Sequence, residues 1–163
     1  MTSISIPILA DAVCRVEKMS VDERVRLADE VHERQRNIFY SVLVLKRYGA
    51  TLEQIKVVLN LLLVCYQAMQ LSGKSWPLIS EEVQECCLIR ITARMRFTEG
   101  LTPSQRIQAV HDSLANHPEL NLLTHVMGKF QEYGYLGIET ETHKMMMLAA
   151  LNLVECVAET APK

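Results

Sequence analysis

Turn-forming residues are scarce in this chain: 6 glycines and 5 prolines in 163. A many-stranded β protein needs a turn every few residues, and these two residues supply most of them. No stretch alternates apolar and polar side chains long enough to make a strand. A sandwich or barrel is therefore excluded, and helix is favoured.

The glycines present are Gly49, Gly73, Gly100, Gly128, Gly134 and Gly137. None falls in the G-x-x-x-x-G-K-[ST] or G-x-G-x-x-G spacing, and no G-x-S-x-G elbow occurs. Phosphate cradles need those glycines so that backbone amides can approach the ligand, and the hydrolase elbow needs them to expose its serine. The plainest routes to a nucleotide enzyme or a serine hydrolase are closed.

Charge of one sign is also missing. The net charge is −2, from 17 Lys+Arg against 19 Asp+Glu, so no global field draws in nucleic acid or an anionic membrane. The balance is uneven along the chain. Arg106 is the last arginine, and from Ile107 onward three lysines face seven acidic residues, which makes that part −4 and the rest +2.

The first residues, MTSISIPILADAVCRVEKM, lack the basic start of a secretory signal. The most apolar stretch, Ile55 to Met69, is interrupted by Lys56, Asn60 and Gln67. It reads as a core helix and not as a bilayer span, which takes about 20 apolar residues. The five cysteines, Cys14, Cys65, Cys86, Cys87 and Cys156, have no C-x-x-C spacing. They read as reduced, mostly buried thiols of a cytoplasmic protein.

What the chain does have is helix punctuation. Ser20 with Glu23, Thr51 with Gln54, and Thr102 with Gln105 form three capping boxes, the last with Pro103 at the first helical position. A first helix is expected from Ile6 to Lys18. A second starts after Ser20 and either runs on to Tyr48 or breaks near Arg36-Asn37, with Gly49 as its stop. Thr51 opens a long apolar helix to Leu71. Ser72 to Pro77 reads as a loop packed down by Trp76, and Ser80 caps a helix from Glu81 to Phe97. Another ends at His117-Pro118, one follows to Tyr133, and a second long apolar helix covers Glu141 to Glu159.

Three landmarks recur in order along the chain. SVDERV at Ser20 matches TPSQRI at Thr102, Tyr48-Gly49 matches Tyr133-Gly134, and Leu59-Asn60-Leu61 matches Leu151-Asn152-Leu153. An internal pseudo-repeat with halves at about 20–71 and 102–159 would explain them.

The remaining chemistry is sparse. His111-Asp112 with His32 lacks the downstream aspartate that a metal site of the HD type requires, because Asp112 is the last one. Asp29 with His32 and Glu139 with His143 share helix faces but lack the further carboxylates of a di-iron bundle. His111, His117 and His125 read as surface or helix-terminal residues. LKRYGATLEQIKVVL resembles a helix-turn-helix, yet its second helix continues as VVLNLLLVCY, which leaves little polar face for a DNA groove.

Arg90 and Arg94 share a face and suit a carboxylate or phosphate, or salt bridges to Glu82 or Glu85. Asn60 and Asn152 lie within apolar helices, where an amide must find a partner, and Glu155 is one turn from Asn152. Met145, Met146 and Met147 suit core filling.

The expectation is one all-α domain over 1–163, a bundle of about six to eight helices around the two long apolar ones. Its expected role is a non-catalytic protein-interaction or regulatory module, partnered by another protein or by itself as a homodimer. The alternative is a small-ligand-binding protein or enzyme with a pocket between the two apolar helices, using Asn60, Asn152, Glu155, Arg90 and Arg94. Helix-turn-helix DNA binding stands third. No catalytic residue, metal ligand or cofactor is assigned.

Overall fold

The computed structural model describes residues 2–162. Among them the chain forms eight α-helices and no strand: α1 Ile6–Lys18, α2 Val21–Arg34, α3 Arg36–Leu43, α4 Leu52–Leu71, α5 Glu81–Glu99, α6 Pro103–Ala115, α7 Leu120–Glu132 and α8 Glu141–Thr160. A 3-10 turn, Val44–Tyr48, joins α3 to Gly49.

All three capping boxes close. The Ser20 hydroxyl accepts from the Glu23 amide at 3.2 Å, and the Glu23 carboxylate accepts from the Ser20 amide at 2.7 Å. Thr51 with Gln54 and Thr102 with Gln105 repeat the reciprocal pair. Each box satisfies two amide groups that a helix start otherwise leaves without a partner. At the other end, Gly49 takes φ +83°, the left-handed conformation that lets the chain leave the 3-10 turn and enter α4.

The long helix after Ser20 does break, at Gln35, and the cause is tertiary. The Gln35 side chain is buried; its oxygen accepts from the Ile79 amide at 2.9 Å and its nitrogen donates to the Pro77 carbonyl at 2.7 Å. Asn37 adds a bond to the Ile79 carbonyl at 2.8 Å. Two side-chain amides thereby bond the backbone of the loop before α5, including the buried amide of Ile79, which would otherwise lack a partner. Trp76 holds the same loop, donating to the Ser72 hydroxyl at 3.0 Å.

Burial is concentrated in α4 and α8. Ten residues of α4 are buried, from Ile55 to Met69, and nine of α8, from Met146 to Val157. α1 packs along α4, α5 along α8, and α4 and α8 touch directly. α4 is also the one described helix long and apolar enough to cross a membrane, against the expectation from its interrupting polar residues. Half of that stretch is instead buried inside the bundle.

Helix α6 behaves differently from the rest: none of its residues is buried. It packs on α7 and α5 only along one edge, and Ile107 stays 71% exposed.

Candidate functional site

The space beside α6 is a cleft of about 580 Å³ between α5 and α6, floored by α7 and α8. Met95 and Phe97 come from α5, Val110 and Leu114 from α6, Leu123 and Met127 from α7, and Leu151 from α8. Ala109 and Ser113 also line it, and their small side chains leave the gap unfilled. The walls are mainly apolar, and three polar side chains converge at one corner: Arg94, His117 and Glu155.

Helix geometry brings these three together. Arg94 on α5 pairs with Glu155 on α8, and one turn earlier Arg90 pairs with Glu159 at 2.8 Å. Four residues forward on α5 correspond to four back on α8, so the two helices run antiparallel. His117 comes from the short connection between α6 and α7, where Pro118 stops the helix.

The Nδ1 of His117 accepts a hydrogen bond from the Glu119 amide at 3.0 Å, which leaves Nε2 as the ring nitrogen turned toward Glu155. Nε2 lies 3.4 Å from the Glu155 carboxylate, within electrostatic reach, yet it makes no hydrogen bond of ordinary geometry. Burial pushes the Glu155 carboxyl up, but the His117 N–H facing it and the Arg94 guanidinium outweigh burial and bring its pKa down to about 2. Glu155 is therefore ionised at neutral pH and matched by Arg94.

A second layer anchors His117. Glu119 is fully buried, and its carboxylate accepts from the backbone amides of Ser3 at 2.6 Å and Ile4 at 3.2 Å. Asn121 donates to the Ile4 carbonyl at 3.1 Å. The connection carrying His117 is thus tied to the start of the chain as well as to α7.

The five residues expected at a ligand site are dispersed. Arg94 and Glu155 line the cleft. Arg90 lies one turn away, half-exposed, bonded to Glu159 and to the Cys87 sulfur at 3.2 Å. Asn152 is buried against Cys156, at 3.8 Å, and does not line the cleft. Asn60 lies in a separate, charged groove with Glu17, Arg24, Lys56 and Lys129. The two asparagines differ in depth and make no bond to each other. Nor does the cleft lie between α4 and α8, because those helices pack against one another; the space opens where α6 stands away from the body. The arginines find their carboxylates across on α8 and not on Glu82 or Glu85 of their own helix.

His117 and Glu119 were not legible as site residues; His117, expected at the surface or at a helix terminus, follows the end of α6 and is buried. One signal was present: Glu119 stands at the N-cap of α7 without capping it. Glutamate is a poor choice there compared with Ser, Thr, Asp or Asn, which implies another task. Among the described residues no group of three or more His, Cys, Asp or Glu side chains gathers as a metal site. No family model, curated protein or solved structure matches this chain.

Proposed function

We propose that the chain is a non-catalytic binding protein whose working surface is the α5–α6 cleft, and that its occupant is a small, mainly apolar molecule. The observation that carries this reading is the cleft itself: about 580 Å³, apolar on its walls, with three polar groups meeting at one corner. Sites for small molecules have that anatomy, at about 300–1,000 Å³. The corner also lacks an activated nucleophile. Ser113 lines the cleft, but one nitrogen of His117 is committed to the Glu119 amide and the other faces Glu155, so no base is free for it.

Titration with N-phenyl-1-naphthylamine, an uncharged apolar fluorophore, tests the proposal. Saturable binding to one site is expected, and it is lost in the double variant Ala109→Leu/Ser113→Val, which fills the gap. Absence of saturable binding, or indifference to the double variant, refutes it.

A second reading, contact with another protein or a second copy of this chain, is favoured by Phe97 and Ile107, which are 72% and 71% exposed beside the cleft. Large apolar side chains exposed to this degree suit an interface with another chain when they form one patch. Light scattering at micromolar concentration decides between twice 18.5 kDa and 18.5 kDa itself.

We also read the chain as an internal pseudo-repeat with halves at about 20–71 and 102–159, each centred on one apolar helix, α4 or α8. In support, α3 packs on α4 as α7 packs on α8. α2 and α6 open with the same capping box, and Gly49 and Gly134 both take positive φ. The unequal depths of Asn60 and Asn152 do not support it. Five free thiols, three of them buried, fit a reducing cytoplasm.

A further inference from the structure

Resting on the reading of the α5–α6 cleft as the binding site, we infer that the cleft is half of a site, and that a second copy of this chain closes it over the occupant. The first observation is how open the cleft is. A small-molecule site encloses most of its ligand, about 70–90% of the surface. Here the rim faces water: Phe97 is 72% exposed and Val110 44%, although both line the cleft. An apolar occupant would keep one side wet, which forfeits much of the free energy of its burial. The second observation is α6, which is 13 residues long with none of them buried. A helix of that length is marginal in water and owes its stability to covering an apolar face. The apolar residues Ile107, Val110 and Leu114 share one face of α6; Leu114 is half-buried, while Ile107 and Val110 stay exposed.

The surface around the mouth suits a second copy as the cover. Ile89, Ala93 and Phe97, four residues apart on α5, form an exposed apolar line. Ile107 lies near its end, because Arg106 Nε donates to the Thr98 carbonyl at 3.3 Å and ties the start of α6 to the end of α5. Beside Phe97 stand Arg96 and Glu99, both exposed and three apart on one face of α5. The edge of the patch therefore carries both signs. A membrane or a nucleic acid is drawn by cations alone. The same patch on a second copy, turned about a two-fold axis, sets the cations of each against the acids of the other, with apolar line against apolar line. The completed site then spans both copies, so occupancy and association strengthen each other.

The test follows mass and probe affinity together on the full chain. Sedimentation velocity is run from about 1 to about 100 μM protein, with and without saturating N-phenyl-1-naphthylamine. The mass is expected to rise from 18.5 kDa toward twice that value, with a dimer dissociation constant at least tenfold lower when the probe is bound. Ile107→Glu changes an exposed side chain that does not line the cleft. It is expected to hold the chain at 18.5 kDa and to weaken probe binding at least tenfold, with helix content by circular dichroism unchanged. Saturable probe binding to an unaltered chain that stays at 18.5 kDa throughout overturns the inference and leaves the cleft reading in place; that series needs no variant. A dimer whose dissociation constant ignores the probe overturns it too, as does full probe affinity in Ile107→Glu. If the probe fails to bind saturably at all, the cleft reading fails first, and this one with it.

Discussion

Helices α2 and α6 begin alike and are used differently. Both open with a capping box, at Ser20 and at Thr102, and both run for about the same length, 14 and 13 residues. Seven and eleven residues after the cap, α2 carries Leu27 and Val31, which are buried in the core where α2 packs on α3 and α4. At the same distances α6 carries Ala109 and Ser113, which line the open cleft. The contrast separates two things often treated together. Capping and propensity decide that a segment is helical; the reach of its inward side chains decides whether it closes on its neighbours. A helix with small residues at the packing positions remains a helix and leaves a gap.

The largest expected effect tests that contrast directly. Leu27→Ala should cost about 2–4 kcal/mol of unfolding free energy, since it removes buried methyls and leaves a void. Ile107→Ala in α6 should stay within about 0.5 kcal/mol, as for an ordinary surface position. Urea denaturation of both variants measures this, and equal losses would erase the distinction.

Acid comes next, and it acts on the cleft corner. A carboxylate whose folded pKa is depressed contributes stability that is present in full above its unfolded value and disappears as pH falls through the folded one. For Glu155 the window runs from the usual 4.5 down to about 2, with at most about 3 kcal/mol at stake. Urea midpoints measured from pH 6 to pH 2.5 should fall less steeply in Glu155→Gln than in the parent chain. Parallel curves would mean that the Arg94–Glu155 pair contributes nothing to the folded state.

Converting α6 toward α2 is a smaller change in the opposite direction. Ala109→Leu/Ser113→Val should stabilise the chain by about 1–2 kcal/mol through added apolar burial, seen as a higher melting temperature alongside loss of probe binding. Destabilisation would show that the gap is held open by something other than the size of these two side chains.

The smallest effects concern the caps. Ser20→Ala should lower global stability by about 1 kcal/mol. Thr102→Ala weakens its helix equally, yet no residue of α6 is fully buried, so the change should emerge as faster hydrogen exchange of α6 amides with little shift in the global midpoint. A full global loss at Thr102 would mean that α6 unfolds only together with the body.

Much of this was readable along the chain. The bounds of α1, the three capping boxes and the stop at Gly49 follow from nearest-neighbour chemistry, because a cap bonds residues three apart and needs no partner elsewhere. The heavy burial of α4 was readable too, since a helix apolar around most of its circumference has to be covered. The break at Gln35 was only one of two alternatives, because its cause lies 42 to 44 residues away at Pro77 and Ile79. The candidate site was legible in part. Arg94 stood out because it shares a helix face with Arg90, and Glu155 because it lies one turn from Asn152 on an apolar helix, while His117 and Glu119 did not, since a histidine before a proline is equally at home on the surface.

Local bonding and side-chain periodicity, both written in the order of residues, determined that the chain is helical, where its helices start and which two are most apolar. Only the tertiary structure decided that Arg94 meets Glu155, that His117 is buried with a bare N–H, and that α6 stands clear of the body. Those outcomes depend on which surfaces approach across 38 to 61 residues of chain and on how completely their side chains fill the space between them. Spacing along a single helix carries no information about that fit.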